Sequence, residues 1–265
     1  MNQTIDLLLN RKSVRVYSDR PVTREEKDII LRAAMRAPTA GNMMLYSIIE
    51  VEDQALKDRL AVTCDNQPFI AKAPYVLLFL ADYQRWYDAY RAGGVKALCD
   101  QRGVEMRLPE EGDLLLACCD ALIAAQTAVI AAESLGIGSC YIGDIIEQYE
   151  THCEMFCLPE YVAPVTLVCF GYPTPEQAAR KQPDRFDRKF IVHRDRYHQL
   201  TPDEIEEWMQ PRNDQMAAAG PRQDGIQNAA QFNYFRKFSA DFSVEMSRSV
   251  RAMIRRWTGE APLQR

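Results

Sequence analysis

Apolar, β-branched runs separated by helical patterns predict a mixed fold, α+β or α/β. The runs that read as strands are residues 47–51, 75–82, 165–171 and 190–193, each short and bounded by polar or turn residues. Helical patterns lie between and around them, the longest over residues 113–135. No internal repeat is visible, and 265 residues suffice to bury a large core without a disulfide or metal. The simplest partition is a main domain over residues 1–208, then a linker and helical extension over 209–265.

The chain opens with a short apolar run (Ile5, Leu7, Leu8, Leu9) and continues as Asn10-Arg11-Lys12-Ser13-Val14-Arg15-Val16-Tyr17. If this stretch is extended, Arg11, Ser13 and Arg15 share one face, and Val14 and Val16 turn toward a core. Two guanidiniums and a hydroxyl on one face suit an oxygen-rich anion, because Arg donates charge-assisted bonds in pairs. The competing reading is that a helix ends here and cations favour its negative end. The next helical pattern (Ile29, Ile30, Ala33, Ala34) stops at Pro38. Thr39, Gly41 and Asn42 then supply a loop with exposed backbone donors and tolerance of positive φ. Gln67 precedes Pro68-Phe69-Ile70 and the second strand. Tyr83, Trp86, Tyr87 and Tyr90 follow that strand, either lining a flat pocket or anchoring a surface helix.

The helix over 113–135 is apolar almost all round, so it must be buried almost all round. A subunit interface achieves that most easily; the centre of a monomer is the alternative. It ends in Gly136-Ile137-Gly138-Ser139-Cys140-Tyr141-Ile142-Gly143-Asp144. This is not a dinucleotide fingerprint, since the third glycine is missing and a helix, not a strand, precedes it. The fourth apolar run begins at 190, after a basic tail, Arg180-Lys181-Gln182-Pro183-Asp184-Arg185. Residues 211–228 read as a linker. Phe232, Phe235, Phe238, Phe242, Met246, Val250, Met253 and Trp257 then form one helical stripe with a break near Ser239. Docking on the core or on a partner accounts for the stripe better than a membrane surface does.

A net charge of −5 argues against a nucleic-acid surface. The N-terminal apolar run is too short for a signal peptide. The long helix is interrupted by Asp120, Gln126 and Glu133, so no membrane span is expected. Eight cysteines without a disulfide spacing pattern fit a reducing, cytoplasmic compartment. His152, Cys153 and Cys157 lack a further ligand pair, so no metal is expected. No Ser-His-Asp, H-E-x-x-H or P-loop spacing occurs. What remains is anion grip, backbone donors and aromatic surface, the parts a protein supplies when a cofactor carries the chemistry.

The order and spacing of these segments, over roughly residues 3–205, resemble the nitroreductase family, in particular its oxygen-insensitive nitroreductase and flavin reductase branch. The basic R-x-S-x-R segment, the A-P-T-x-x-N loop, the Y-I-G-D turn and the basic tail each correspond to a family motif. The resemblance implies an α+β fold with a mostly antiparallel sheet flanked by helices, built as an intertwined homodimer. It implies FMN as cofactor, NADPH or NADH as reductant, and a nitroaromatic, quinone or flavin as small-molecule electron acceptor, in a ping-pong hydride transfer. A flavin-binding protein for redox sensing or storage is the alternative. No side chain is implied as catalytic. The flavin contacts implied are Arg11, Lys12, Ser13 and Arg15 in the first segment and Thr39 and Asn42 in the loop. Gln67 matches the pyrimidine edge. Tyr141, Ile142 and Gly143 would lie against the ring, with the Gly143 N–H toward N5. Lys181 and Arg185 would join Arg11 on the phosphate, and Arg212 or Arg222 would meet the nucleotide. Met44 and Asp144 depart from the usual family residues.

Overall fold

The computed structural model describes residues 2–220 and 224–260; Arg222 and the end of the C-terminal extension lie outside the described residues. Two compact units emerge. The first holds the residues up to Lys181 together with those from Glu245 on, and the second is Gln182–Val244.

In the first unit, α1 (Gln3–Asn10) and α2 (Arg24–Ala34) precede β1 (Tyr46–Glu50). After it come α3 (Gln54–Thr63), α4 (Phe69–Lys72), β2 (Tyr75–Asp82), α5 (Gln84–Ala92) and α6 (Val95–Arg102). The long helix α7 (Glu111–Ser134) then leads into β3 (Gly138–Ile142), α8 (Tyr149–Met155), β4 (Val162–Gly171) and α9 (Pro175–Ala179). The four strands form one sheet in the order β1-β2-β4-β3, antiparallel throughout. The architecture is therefore α+β. Strands β2 and β4 are buried along their whole length, as central strands covered on both faces must be. Pro164 sits in β4 opposite Leu80, where the register shifts; a proline cannot donate to the ladder, and the irregularity accommodates it.

Helix α7 packs against all four strands and against α2. Its inner face is small: Ala117, Ala121, Ala124, Ala125, Ala128 and Ala132 are fully buried. Its outer face in the single chain is apolar and open, with Leu115, Leu116, Leu122 and Ile123 exposed. By length and composition α7 would also suffice to cross a membrane. Its packing on the sheet and the buried Asp120 midway along it identify a core helix instead.

Three of the four aromatics after β2, Tyr83, Trp86 and Tyr87, pack on the core and anchor α5. The Tyr87 ring meets Tyr161 edge-on at 5.0 Å, and Tyr161 meets Trp257 at 5.8 Å. Trp257 belongs to α12 (Asp241–Trp257), which follows α10 (Pro202–Ala218) and α11 (Ala229–Asn233). The break expected near Ser239 is present, between a π-helical turn ending at Phe238 and the start of α12. The stripe divides there in character: Met253 and Trp257 are buried, while Phe235 and Phe238 are exposed.

Four expectations need correction. Residues 190–193 are not a strand. A 3-10 turn, Arg188–Phe190, forms because the Asp187 side chain caps the Lys189 N–H at 2.9 Å, and Ile191 and Val192 stay exposed with no sheet to cover them. The linker is helical as far as Ala218, since α10 continues through Pro211, whose ring removes one intrahelical bond without stopping the helix. Val16 does not enter the core but is 54 % exposed, because the segment bends after Val14. Strand β3 was hidden inside the glycine-rich turn motif.

Close approach explains the glycines that open β3 and close β4. A Cβ on Gly138 would lie 2.3 Å from Val14 Cγ2, and one on Gly171 would lie 2.5 Å from the Tyr17 ring. Both glycines let the Ser13–Tyr17 stretch lie directly on the sheet, where Ser13 bridges Ser139 and Tyr17 bridges Pro173. Gly138→Ala should therefore destabilise the protein by about 1–3 kcal/mol through overpacking. Gly143→Ala, where a Cβ would meet nothing within 4 Å, should change stability by less than about 0.5 kcal/mol. Urea unfolding of the two variants checks the contrast.

Candidate functional site

The first part of the site is the Arg11–Arg15 segment on the β3 edge. The Val14 N–H donates to Ser139 O at 2.9 Å and fixes the register. Arg11 Nη1 then reaches Ser139 Oγ at 3.4 Å, and that hydroxyl donates to Glu133 Oε1 at 3.2 Å. Burial raises the Glu133 carboxyl, while the Arg11 charge and the Ser139 hydrogen bonds pull it back. On the next residue of β3, burial raises the Cys140 thiol, and Arg15 and Ser13 oppose the rise through charge and hydrogen bonding. Arg11, Ser13 and Arg15 are thus gathered along Ser139 and Cys140. The Arg15 guanidinium also lies 5.6 Å from the Phe69 ring centre. A cleft of about 710 Å³ opens beside it, sharing Arg15 and Phe69 and adding Lys57 and Lys72 to its walls. Lys57 and Lys72 carried no sequence signal.

Lys12 has a different role from its neighbours. Its ammonium donates to the carbonyls of Ala178 and, at 2.7 Å, Arg180. It pins the backbone that leads into Lys181, the last residue of the first unit. Arg185 and Arg212 belong to the second unit, where the Arg212 guanidinium stacks 4.1 Å from the Phe186 ring centre.

The second part is the loop after α2. Gly41, Asn42 and Met44 all adopt positive φ. Asp120, buried in the middle of α7, holds this loop. It accepts the Thr39 hydroxyl and the N–H groups of Ala40 and Leu45, both at 3.1 Å. From outside, Trp86 Nε1 donates to Met43 O at 2.8 Å and Arg85 Nη2 to Met44 O at 2.7 Å. Asp120 and Arg85 were missed as residues that hold this loop, and Trp86 reads in the sequence only as one of a group of aromatics after β2. The only sequence signal for Asp120 was a charge interrupting an apolar helix. Asp120, which carries the Thr39–Asn42 loop, and Glu133, which faces Arg11, are about 20 Å apart along α7 at 1.5 Å rise per residue. One chain anchors these two parts separately.

The third part is the turn after β3. The Tyr141 hydroxyl donates to Gln126 Oε1 at 3.2 Å, and the Ile142 side chain is buried, leaving the backbone at Gly143 as the surface. Asp144 accepts from Gln67 Nε2 at 2.7 Å, and the same amide nitrogen donates to Cys64 O at 3.0 Å. The Gln67 backbone is held by its N–H to Ala61 O at 2.7 Å.

These groups fit a flat, anionic cofactor. Arg11, Ser13 and Arg15 supply cations and a hydroxyl on one edge. A Cβ on Gly143 would project into open space, which leaves room for a ring against the backbone. No group of three or more His, Cys, Asp or Glu suited to a metal occurs among the described residues.

The antiparallel four-stranded α+β core carries an anion grip, an open glycine backbone and one aromatic ring, Phe69, beside Arg15. The Nitroreductase family description matches residues 8–172, and the chain belongs to that family. It is 33 % identical over 205 residues to "FMN reductase (NADPH)" of Bacillus subtilis, covering 77 % of this chain and 78 % of that one. It is 31 % identical over 200 residues to "Oxygen-insensitive NADPH nitroreductase" of Salmonella typhimurium, covering 76 % and 77 %. The solved structure of NfrA2 from B. megaterium superposes with a TM-score of 0.79 at 28 % identity, covering 97 % of this chain and 98 % of that one.

Asp120→Ala should leave two loop N–H groups and the Thr39 hydroxyl without their acceptor and cost about 2–4 kcal/mol, whereas Asp120→Asn should cost less. Denaturant unfolding measures the cost. Limited proteolysis near Gly41 should show the loop loosening before global unfolding.

Proposed function

We propose that this protein is an FMN-dependent NAD(P)H oxidoreductase that passes electrons to nitroaromatic, quinone or flavin acceptors. The observation that carries the reading is the gathering of Arg11, Ser13 and Arg15 along Ser139 and Cys140 of β3, the strand that leads into the open backbone of Gly143. Bound FMN supplies a centre that takes a hydride from NAD(P)H and releases electrons to an acceptor. Arg11 and Lys181 hold the phosphate, and Lys12 positions the Lys181 backbone. A part for Arg185 rests on the resemblance alone. Arg15 faces the pyrimidine edge with Gln67. Tyr141, Ile142 and Gly143 would form the floor of the slot, with the Gly143 backbone N–H presented to the ring. The chain's contribution is orientation in one slot, without a dedicated acid or base. The names of the relatives support FMN and NADPH.

The working unit of this reading is a homodimer. The outer face of α7 is apolar and open, and a monomer rarely leaves such a patch uncovered. Thr39 and Asn42 are also anchored about 20 Å along α7 from the Arg11 part. A second copy laying its own α7 on this one covers the patch and brings its Thr39–Asn42 loop to the first copy's grip. The compartment is cytoplasmic. Residues 209–265 act as an extension to the FMN-binding part, 1–208.

The purified protein should be yellow and release FMN on denaturation. Arg11→Ala, Lys181→Ala or Arg185→Ala should weaken FMN binding about 10- to 150-fold, the loss of one charge-assisted bond. Equilibrium dialysis measures this. Colourless protein that FMN cannot reconstitute would sink the reading.

Double-reciprocal plots at several fixed acceptor concentrations should be parallel, because reductant and acceptor use one slot in turn. Intersecting lines would require two simultaneous sites. Flavin that stays oxidised for minutes under anaerobic NADPH and NADH would favour a sensing or storage role.

A further inference from the structure

Gln67 has a fixed amide. Its Nε2 faces two groups that only accept, the Cys64 carbonyl and the Asp144 carboxylate. Both N–H bonds of the amide are therefore committed to the protein, and the flip that would exchange O for N is excluded by both neighbours. What Gln67 can offer a ligand is its Oε1, as an acceptor. An imide N–H, such as the one at the pyrimidine edge of an isoalloxazine, is the complementary donor.

Asp144 is itself held from behind by Glu147. Glu147 closes the same turn, its N–H donating to Asp144 O at 3.1 Å. Its side chain is 5 % exposed, and its Oε1 has no hydrogen-bond partner. The Asp144 carboxyl, its neighbour in the turn, acts on it through hydrogen bonding and charge and raises it. Two carboxyls share a hydrogen bond only when one of them keeps a proton.

We propose that Asp144 and Glu147 are positioning residues for Gln67: a protonated Glu147 donates to the Asp144 carboxylate, and Asp144 locks Gln67 as an acceptor for the ring imide of bound FMN. The proposal rests on the flavin reading given above. It adds a pH limit to cofactor binding, because loss of the Glu147 proton sets a buried carboxylate against the half-buried one of Asp144 and frees the Gln67 amide.

The surroundings favour retention of that proton. Burial, the Asp144 hydrogen bond and charge, and the charges of Asp65 and Glu245 together push Glu147 up to about 8. Asp144 shares its turn, Cys64 and Asp65 face it from beyond α3, and Glu245 from α12. Arg248 holds Glu245 ionised, at about 2. Burial, with Asp144 and Glu147, raises the Cys64 thiol, which stays neutral. Burial lowers His152 on α8, with Arg59 adding to the effect, so no cation arises there to neutralise Glu147.

The test is the Kd for FMN, read by flavin fluorescence quenching between pH 6.5 and 9.5. The variants are Glu147→Gln, Asp144→Ala and Gln67→Leu in the full chain. Wild type should lose about tenfold or more in affinity as pH rises through about 8. Glu147→Gln keeps a donor to Asp144 and cannot ionise, so its Kd should lose that step. Asp144→Ala and Gln67→Leu should bind about tenfold more weakly at pH 7 and show no step, with melting curves confirming that each is folded. A step of equal size in wild type and Glu147→Gln overturns the proposal. So does a step that survives in Gln67→Leu, which would put the titrating group elsewhere. FMN binding without any pH step refutes the positioning pair alone, whereas absence of FMN binding at every pH refutes the flavin reading and the pair with it.

Discussion

One packing constraint organises this molecule: a 24-residue helix lies flat across a twisted four-stranded sheet. Only a face of small side chains permits so long a contact, and α7 provides it with six fully buried alanines. The constraint fixes more than the core. Asp120 stands midway along the inner face, where a charge is costly unless its lone pairs are used. The loop after α2 uses them with a hydroxyl and two backbone N–H groups. At the C-terminal end, Glu133 meets Ser139 and Arg11. The same helix therefore sets the position of two separate parts of the site.

The outer face of α7 follows from the same arithmetic. Alanines on the inner side leave the larger residues, Leu115, Leu116, Leu122 and Ile123, pointing away from the sheet. A helix with its bulky side chains turned outward leaves that face uncovered by its own chain. Its sequence is apolar on every side although the sheet covers just one, which is the ground for the homodimer proposed above. The sequence argument for an all-round buried helix and the structural argument for a second copy are thus the same argument, read at two levels.

Much of the fold was legible because it rests on local pattern. Strands β1, β2 and β4 are short, largely apolar runs, and α7 is a long helical pattern. Strand β3 was not legible, since Gly138-Ser139-Cys140 has little strand propensity; its pairing with β4 is a tertiary override. Ile191 and Val192 failed in the other direction, as strand formers with no sheet edge to join. In the site, Arg11, Ser13 and Arg15 could be grouped by alternation alone. Lys12 could not be assigned a separate duty, because its partners are backbone carbonyls over 160 residues away. Asp144 read only as a departure from a glycine. Its meaning depends on Gln67, which lies 77 residues earlier and which no periodicity connects to it.

The exposed turn at Gly143 cannot brace itself, since a glycine has no side chain to pack. Its support comes from behind. His152, fully buried, bonds Ile145 O through Nδ1 at 2.8 Å and pairs with Thr63 Oγ1 through Nε2 at 2.8 Å, tying the turn to α3. Gln148 donates to Thr63 O at 3.2 Å. Helix α12 adds a second brace: Glu245 accepts the Gln148 N–H, Ser249 accepts the Tyr149 N–H, and Arg248 grips Glu150 with two bonds of 2.8 and 2.7 Å. These bonds cap the start of α8, whose first N–H groups would otherwise lack partners. The buried part of the C-terminal stripe thus braces the turn that follows Gly143. Its aromatic anchor, Trp257, packs against Tyr161, which also receives Tyr87 of α5. Through that contact the element that clamps the Met43–Met44 backbone and the element that braces the Gly143 turn share one buried aromatic cluster.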